Sequence, residues 1–557
     1  MKNKNNLWGI LSFKMIEIDD EVIYPTFTPK CKYEPLAHQL EALKFMRERE
    51  RDSCINGGFL CLNTGLGKTF TTLYHLTNQG GQTLIICPKS LISTWADEIK
   101  KFYGNTLSYF VFRKDNKRVA TITKEQLSRY NVVITNYEYV RHLCSQRKVY
   151  ERVAMRDFNG NIFGCNVPAN PPLREITGEG LLYSINWDRI VCDESHNFSN
   201  YKTSLWQSVM SLPGNSRWCL SGTIIRNYSE DLYSQYKFIG YYEPEFNIKG
   251  FSDLNLSKYI HYSNYVKAGI KLPESTRIDV PCNIDGEQEE IYNVFLKKTT
   301  KAFRDFTNKS ASFASVFTLF LRLRQMLVAP HAIVPSKNNL TTKKKLDEYD
   351  TAMELVHSLP EDLQEWITDR NSSAGLHSSK INKAVEIVKS IRKGEKTIIF
   401  TIFRSTMELM KERLVAEGKK VLTVDGTVTG NSRDNNLNSF KNEDFDVLLI
   451  SYKIGSEGLN LTEATNVILL DVWWSNATTE QAIARIHRMG QTKPVKIYSL
   501  YVPNTENIKS IESAMLEICQ RKQKIANEYM TTGKCDNGTK MDAKTLGEIL
   551  KVAYNRD

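Results

Sequence analysis

The chain has 557 residues, of which 41% are hydrophobic and 25% are charged, which excludes a disordered polymer and predicts ordinary globular cores. At roughly 150 residues per domain, this length predicts three to four domains, or two large ones with insertions. The formal net charge of +11 is compatible with a polyanionic partner but does not require one, because many basic proteins bind nothing acidic.

The eleven cysteines are scattered and form no C-x-x-C pair, so the sequence predicts no zinc ribbon and no RING-like module. Cys61, Cys87 and Cys192 lie inside apolar runs, where a free thiol behaves as a small buried hydrophobe. The sequence shows neither a signal peptide nor an apolar stretch of membrane-spanning length. We therefore expect a reduced, intracellular protein with no membrane partner and no zinc.

Short apolar runs alternate with longer amphipathic segments in the first half of the chain, a pattern typical of a parallel sheet with helices on both faces. The runs are Phe59–Leu62, Leu84–Cys87, Val132–Thr135, Arg189–Cys192 and Trp218–Leu220. A second series comprises Thr397–Thr401, Val421–Val424, Val447–Ser451, Val467–Leu470 and Val495–Leu500. The predicted fold class is therefore α/β, with two parallel-sheet lobes.

Other segments interrupt this alternation. Residues 286–331 carry apolar side chains at helical spacing and predict helices. Residues 335–380 are polar and are interpreted as an insertion or linker, and residues 144–185 as a surface insertion in the first lobe. The predicted divisions are an extension over 1–30, lobe one over 31–245, a helical and polar linker region over 246–380, lobe two over 381–505 and a helical tail over 506–557.

A glycine-rich segment, Thr64–Thr69, stands between a predicted strand and a predicted helix and has the sequence TGLGKT. Its glycines allow backbone N–H groups to wrap a phosphate, and the positive end of the following helix adds to the attraction. Lys68 would neutralise phosphate charge, and the Thr69 hydroxyl would ligate Mg²⁺. Leu62 occupies the place of the first glycine of the general phosphate-loop pattern, and the simpler alternative is a glycine-rich turn between strand and helix.

Adjacent carboxylates end another predicted strand, in the sequence Asp193-Glu194-Ser195-His196. The carboxyl ends of parallel strands share one edge of the sheet, so this pair should face the same crevice as the phosphate loop. Asp193 would hold Mg²⁺ through water, Glu194 would orient and polarise an attacking water, and His196 would link the site to a nucleic acid. The alternative is a solvated strand end.

A third segment, 481–491, places Gln481, Arg485 and Arg488 at i, i+4 and i+7, and hence on one face of a predicted helix that stops at Gly490. Two arginines presented together suit the charge that develops on a transferring phosphate. The alternative is an exposed basic helix face.

Taken in order, these segments resemble the Swi/Snf-type ATPases of helicase superfamily two, over most of residues 33–502. Thr64–Thr69 is similar to the family's M-G-L-G-K-T, and Asp193–His196 to its D-E-A-H or D-E-G-H box. Further matching segments are Leu84–Trp95, Val132–Tyr137, Leu220–Thr223, Leu323–Gln325, Asp425–Gly426, Gly455–Leu461, Trp473–Trp474 and Arg485–Gln491. Leu62 and Asn63 replace the family's Asp-Glu, Ile224 replaces Pro, and Ser475-Asn476 replaces Asn-Pro. These departures and the compactness of the chain suggest a divergent member encoded by a large DNA virus.

The resemblance implies two RecA-like lobes, ATP and Mg²⁺, and double-stranded DNA as partner. The implied ATP-binding residues are Gln39, Thr64, Gly65, Leu66, Gly67, Lys68, Thr69 and Gly458. The implied catalytic residues are Lys68, Asp193, Glu194, Arg485 and Arg488, with Thr69 and Asp193 as metal ligands. The implied coupling residues are His196, Ser221, Thr223 and Gln481. The implied DNA-binding residues are Lys89, Ser90, Asn136, Tyr137, Lys453 and Trp474.

The function that these residues predict is ATP-dependent translocation on DNA, with remodelling of DNA–protein complexes. Three alternatives stay open: an ATPase that releases or rescues RNA polymerase, a silent DNA-binding scaffold, and RNA as the substrate. Nucleosomes are also left open as a partner. Residence in the nucleus, or in a viral factory or virion, would follow from the substrate.

Overall fold

The computed structural model describes residues 16–18, 22–24, 30–51, 55–146, 150–156, 162–168, 178–222, 229–241, 257–310, 312–333, 352–368, 378–426, 431–455, 459–474, 476–532 and 549. The chain divides into two compact units whose main segments are Met1–Lys271 and Leu272–Lys524. Each unit is built on one all-parallel sheet, so the predicted α/β class with two lobes is confirmed.

The first unit contains a seven-stranded sheet whose strands are all parallel. Its spatial order is Ile260–Ser263, Gly57–Leu62, Gly214–Leu220, Trp187–Asp193, Thr83–Cys87, Val132–Asn136 and Tyr109–Val111. The helices are Ala37–Arg51, Lys68–Gln79, Ile92–Tyr103, Lys124–Leu127, Tyr137–Gln146, Ser204–Met210 and Ser229–Ile239. All five strands predicted in this half are present, each within a few residues of its predicted ends.

Both faces of this sheet are buried, which explains the continuous apolar runs. Along Gly57–Leu62, Phe59 and Cys61 pack into one core while Leu60 and Leu62 pack into the other. Burial raises the pKa of the Cys87 thiol well above its usual range, as expected for a cysteine inside the core. The predicted insertion contains two antiparallel strands, Tyr150–Arg156 and Ile162–Pro168, and another antiparallel pair, Ile16–Ile18 and Val22–Tyr24, lies near the amino terminus.

The second unit contains a six-stranded parallel sheet. Its spatial order is Ser275–Pro281, Val495–Tyr501, Ala464–Leu469, Lys396–Thr401, Val447–Ser451 and Val421–Val424. The helices are Gly286–Thr307, Phe313–Val328, Glu361–Thr368, Ser379–Ser390, Arg404–Ala416, Asn431–Asn442, Tyr452–Gly455 and Asn476–Ile483, and a long helix follows over Ile511–Thr532. Helices over 286–331 were predicted, and they pack into a separate core that includes Ile291, Phe320 and Met515.

Residues 246–380, predicted as a helical and polar linker region, contribute a strand to each of the two sheets. Ile260–Ser263 forms an edge strand of the first sheet, and Ser275–Pro281 forms an edge strand of the second. Both strands are short or exposed edge strands, so their burial patterns differ from those of the central strands and give little sequence signal. Within the described residues, no helix combines the length and the apolarity that crossing a membrane requires.

Candidate active site

The phosphate loop follows the strand Gly57–Leu62 and leads directly into the helix Lys68–Gln79. Gly65 and Gly67 have φ angles of 92° and 83°, a left-handed region that favours glycine. A side-chain Cβ at Gly67 would also come within 2.4 Å of the Gln39 Nε2 atom. Between the two glycines, the fully buried Leu66 anchors the loop in the core. The backbone of the loop therefore favours glycine at both positions, and its binding of a phosphate stays a prediction.

Gln39 and its neighbour His38 hold this loop from the helix Ala37–Arg51. Gln39 Nε2 donates a hydrogen bond of 3.2 Å to the Leu66 carbonyl oxygen, and His38 Nε2 lies 3.0 Å from the same oxygen. Gln39 Oε1 accepts a 2.9 Å hydrogen bond from the Leu36 backbone N–H. Gln39 thus ties the start of the helix Ala37–Arg51 to the phosphate loop, while its contact with ATP stays a prediction.

Lys68 begins the helix, and its side chain is half-buried beside the strand end. Its Nζ atom donates a 2.8 Å hydrogen bond to the Leu62 carbonyl oxygen. Gly222 lies close by, since a Cβ there would stand 3.6 Å from Lys68 Nζ and 3.5 Å from Thr64 Oγ1. The predicted coupling segment therefore borders the phosphate loop. Within it, the Ser221 backbone N–H donates to the Leu60 carbonyl oxygen at 3.4 Å, and Thr223 lies outside the described residues.

Asp193 ends the strand Trp187–Asp193 and is buried. Its Oδ2 atom accepts a 3.0 Å hydrogen bond from Trp95 Nε1, and its Oδ1 atom accepts one of 2.9 Å from the Glu194 backbone N–H. Burial and the neighbouring Glu194 carboxylate raise the pKa of Asp193 to about 6, although the Lys68 ammonium opposes this shift. The Lys68 ammonium therefore favours the charged form of the Asp193 carboxylate.

Glu194 has a left-handed backbone with φ 49° and ψ 52°, which is uncommon for a residue other than glycine. Its Oε2 atom lies 3.3 Å from His196 Nδ1. Both side chains are largely buried, so the histidine restricts where the carboxylate points. His196 was predicted to couple this site to a nucleic acid, and that role stays a prediction.

A divalent cation would suit the oxygen donors that Asp193 and Thr69 carry. Asp193 offers a carboxylate and Thr69 offers a hydroxyl, and both are hard oxygen donors of the kind that Mg²⁺ prefers together with water. Asp193 is buried, and a cation beside it would stabilise the charged form of its carboxylate. The residues present therefore fit the predicted metal.

The predicted DNA-binding residues of the first unit differ in exposure. Lys89 is exposed and Ser90 is half-buried, in the short turn Lys89–Leu91. Asn136 is buried, and its Oδ1 atom accepts a 2.8 Å hydrogen bond from the Tyr139 backbone N–H. Tyr137 is also buried, and its hydroxyl donates a 2.7 Å hydrogen bond to the Asp193 carbonyl oxygen. Asn136 and Tyr137 therefore stabilise the edge of the sheet through these hydrogen bonds. Their contact with DNA stays a prediction.

The predicted arginine helix in the second unit is wrong in its extent. The helix spans Asn476–Ile483, so Gln481 lies on it while Arg485 and Arg488 lie in the turns that follow. The backbone forms a tighter turn here, because the Arg485 N–H donates a hydrogen bond to the Ala482 carbonyl oxygen, three residues back. The Arg485 carbonyl oxygen accepts a 2.9 Å hydrogen bond from the Leu461 N–H. The Arg485 carbonyl oxygen is thereby directed towards Leu461 and away from the direction in which the helix would continue.

Both arginines are nevertheless held in place. Arg485 is buried, and Arg488 Nη1 donates a 3.4 Å hydrogen bond to the Leu459 carbonyl oxygen. Gln491 Nε2 donates to the carbonyl oxygens of Thr462 and Ala464, each at 3.0 Å, and so fixes the end of the segment. The two guanidinium groups are thus fixed by the turns rather than by one helix face.

Three other predicted residues of this unit have different outcomes. Trp474 stacks on Trp473 with ring centroids 4.3 Å apart, and the buried Arg324 guanidinium lies 4.9 Å from the Trp474 ring centroid. The Lys453 side chain and the whole of Gly458 lie outside the described residues. Trp474 therefore belongs to an aromatic and cationic cluster, and its contact with DNA stays a prediction.

Sequence reasoning missed Tyr265 as a residue of this site. Its hydroxyl donates a hydrogen bond to the Thr64 carbonyl oxygen, and the preceding Ser263 carbonyl oxygen accepts from the Asn63 N–H at 3.0 Å. The strand Ile260–Ser263 thus fastens the phosphate loop from the edge of the sheet. Because that strand carries a weak signal, nothing in the sequence pointed to the contact.

A phosphate loop and an acidic pair on one parallel sheet, followed by a second parallel sheet with paired arginines, define a helicase-like ATPase of two α/β lobes. Residues 38–246 match the model of the SNF2-related domain, and residues 379–490 match that of the helicase conserved C-terminal domain. The two models together match more than half of the chain. The chain belongs to the SNF2-type helicase-like ATPases, as its motifs predicted.

Three relatives illustrate the range of this family. Protein 172L of Invertebrate iridescent virus 6, described as a helicase, is 29% identical, with 96% of this chain and 98% of that protein covered. The DNA repair protein RAD5A of Arabidopsis thaliana is 26% identical, with 81% and 51% covered. A protein of Orgyia pseudotsugata multicapsid polyhedrosis virus, described as a global transactivator, is 25% identical, with 85% and 87% covered. Two of these relatives are viral, and a viral origin for this chain stays a prediction.

Proposed function

We propose that this chain is an ATP-driven translocase on double-stranded DNA, which moves along DNA or remodels DNA–protein complexes. The observation that carries the proposal is the convergence of Lys68 with Asp193 and Glu194 at the carboxyl edge of one sheet, in a chain of the SNF2 family. An ATPase site of this kind supplies free energy for mechanical work when its lobes respond to the γ-phosphate.

Each group of residues at the site has its own chemical role. Backbone N–H groups of Thr64–Thr69 and the Lys68 ammonium bind the phosphates. Thr69 and Asp193, the latter partly through water, would hold Mg²⁺, which would neutralise phosphate charge. Glu194 accepts a hydrogen bond from the attacking water and polarises it, while Arg485 and Arg488 stabilise the negative charge that develops on the transferring phosphoryl group.

DNA is the proposed partner because relatives of this chain include a protein described as a DNA repair protein, and because the net charge is positive. Phosphate contacts from residues such as Lys89, Ser90 and Lys453 read no sequence, so binding should be general and should weaken steeply with salt. The substrate would in turn place the protein in the nucleus or in a viral factory.

A second candidate is an ATPase that acts on transcription complexes and releases or rescues RNA polymerase. The relative described as a global transactivator favours it, since the match covers 87% of that protein. Both candidates use the same ATPase chemistry and differ in the protein bound to the DNA. ATP-dependent release of a transcript from a purified stalled complex would distinguish the second from the first.

The first experiment is ATP hydrolysis measured without nucleic acid and with duplex DNA, single-stranded DNA or duplex RNA. Lys68→Ala removes the phosphate-binding ammonium. Lys44→Ala, at an exposed lysine whose ion pair with Glu48 is long at 3.9 Å, is the matched control. We expect strong stimulation by duplex DNA in the wild type and in the control variant, and none in Lys68→Ala. Displacement of a third strand from a DNA triplex then tests movement.

Three other results of these measurements would each contradict part of the proposal. Stimulation only by RNA or by single strands would overturn duplex DNA as the substrate. Stimulation by duplex DNA without triplex displacement would leave an ATPase that does not translocate. Activity at the level of Lys68→Ala under every condition, in a protein that binds duplex DNA, would indicate the silent scaffold.

A further inference from the structure

Ser195 follows Glu194 at the position where the family's box has Ala or Gly, so this chain has a hydroxyl that the pattern lacks. That hydroxyl donates a 2.5 Å hydrogen bond to Gln235 Oε1. Neither residue has exposed surface. A buried polar pair of this kind is expensive to disrupt, because water cannot replace either partner.

The residue before this pair is held in a strained conformation. The left-handed backbone of Glu194 is fixed on one side by its N–H, which donates to Asp193 Oδ1 at 2.9 Å. On the other side, its carbonyl oxygen accepts from the Asn197 N–H at 3.0 Å and from Asn197 Nδ2 at 2.8 Å. Such strain persists only where the surroundings impose it, and it is concentrated at functional sites. Ser195 is the next residue along the chain, and its side chain is held by the hydrogen bond to Gln235.

Gln235 belongs to the helix Ser229–Ile239, which is itself firmly attached to the sheet. Its neighbour Tyr236 is fully buried, with its ring centroid 4.7 Å from that of Phe59. Phe59 lies on the strand that leads into the phosphate loop. The Ser195–Gln235 hydrogen bond therefore attaches the backbone beside Glu194 to a core. Phe59, on the strand that leads to Lys68, packs in the same core.

We infer that Ser195 and Gln235 form a positioning pair that fixes the Glu194 carboxylate for its contact with the attacking water. The inference rests on the proposed role of Glu194 in hydrolysis. The pair touches neither the nucleotide nor the water, and it acts through the backbone of Glu194. A shift of the carboxylate by a fraction of an ångström impairs the alignment of the water without changing how the phosphate loop binds ATP.

The test is a double-mutant cycle of Ser195→Ala, Gln235→Leu and the two combined, with DNA-stimulated hydrolysis as the readout. We expect each single variant to lower kcat about tenfold with an unchanged KM for ATP, since misplacement of reacting groups affects rate more than binding. The double variant should resemble either single one, because the two residues act as a unit. Binding of a non-hydrolysable ATP analogue should stay at the wild-type level.

Trp206→Phe is the matched control, because the Trp206 indole donates a 3.0 Å hydrogen bond to the Ser234 carbonyl oxygen on the same helix. It disturbs the helix without touching Ser195 and should leave kcat unchanged. Additive losses in the cycle, or a rise in KM with constant kcat, would overturn the positioning pair. Glu194→Gln separates the two hypotheses: full activity in this variant would refute the proposed role of Glu194. An inactive Glu194→Gln alongside wild-type rates in Ser195→Ala and Gln235→Leu would refute the pair alone.

Discussion

The Trp95 indole donates a 3.0 Å hydrogen bond to Asp193 Oδ2, which joins a helix of the first unit directly to the proposed metal ligand. Trp95 lies on Ile92–Tyr103 and is almost completely buried. It supplies a donor to a carboxylate whose pKa burial has raised, and thereby favours the charged form. The segment Leu84–Trp95, which was matched to the family as a block, thus contains a residue that supports the acidic pair.

Trp95→Phe should weaken the response of the ATPase to Mg²⁺. A hydrogen bond to a charged group contributes roughly 1.5–3 kcal/mol, so we expect kcat/KM to fall about tenfold or more and the half-saturating Mg²⁺ concentration to rise. Trp187→Phe is the control, because Trp187 is equally buried and its indole donates to the Leu182 carbonyl oxygen at 2.9 Å, away from Asp193. An equal change in both variants would mean that Trp95 acts only through packing.

Tyr265→Phe should weaken ATP binding. The lost hydroxyl holds the Thr64 carbonyl oxygen, and a neutral hydrogen bond of this kind contributes about 1 kcal/mol, so the KM for ATP should rise roughly fivefold with little change in kcat. Tyr262→Phe is matched to it, since the Tyr262 hydroxyl accepts a long 3.4 Å hydrogen bond from Asn264 Nδ2. An unchanged nucleotide affinity in Tyr265→Phe would show that the loop keeps its shape without this contact.

Arg488→Lys should abolish most hydrolysis while ATP still binds. Lysine keeps the charge but loses the planar fork that stabilises a transferring phosphoryl group, and such arginines contribute about 10³-fold or more to kcat. Arg277→Lys is the control in the same unit, because Arg277 is exposed and forms a two-point ion pair with Glu480 at 2.7 and 2.6 Å. Wild-type turnover in Arg488→Lys would exclude a catalytic guanidinium at this position.

The central strands and the phosphate loop could be predicted because their signals are local. Doubly buried strands such as Val447–Ser451 read as continuous apolar runs, and the glycines of the loop are needed by its own backbone. The edge strands Ile260–Ser263 and Ser275–Pro281 carry no such run, which is why neither strand was predicted. The end of the helix at Ile483 depends on a partner, Leu461, that is distant in sequence.

The chemistry at the first sheet was predictable for the same reason, whereas its supports were not. Lys68 follows the strand Gly57–Leu62 after a short loop, and Asp193 and Glu194 stand at the end of another strand, so the topology of a parallel sheet brings them to one edge. Ser195 could be noted as a departure from the family, but its partner Gln235 comes 40 residues later in an unremarkable helix. Contacts between such residues depend on tertiary packing, which a single sequence does not report.

Glu50 is a further residue without a sequence signal, and it joins four elements of the first unit. Its carboxylate accepts hydrogen bonds from Arg189 Nε and Nη2 at 2.7 and 2.9 Å and from Trp218 Nε1 at 2.9 Å, and it lies 3.0 Å from His75 Nε2. Burial alone would raise its pKa, but the contacts with His75 and Arg189 outweigh burial and lower the pKa to about 2. The charged network therefore stabilises the folded state.

Glu50→Gln should reduce the free energy of unfolding of the first unit by about 3 kcal/mol at neutral pH, the equivalent of a pKa lowered from 4.5 to about 2. A depressed carboxyl pKa stabilises the fold fully above the unfolded value, and this stability is lost as the pH falls from about 4.5 towards 2. The wild type should therefore lose its advantage over Glu50→Gln across that interval. Hydrogen exchange of peptides from Gly57–Leu62 and Trp187–Asp193 measures the first unit separately.

Glu48→Gln, on the same helix but exposed and 3.9 Å from Lys44, should leave this exchange unchanged at every pH, because a surface ion pair contributes little. Equal hydrogen exchange in Glu50→Gln and the wild type at neutral pH would contradict this prediction. The free energy lost by desolvating the buried charges would then equal the free energy gained from their attraction. If its deficit persisted undiminished at pH values near 2, the lost stability would come from packing around residue 50 and not from its charge.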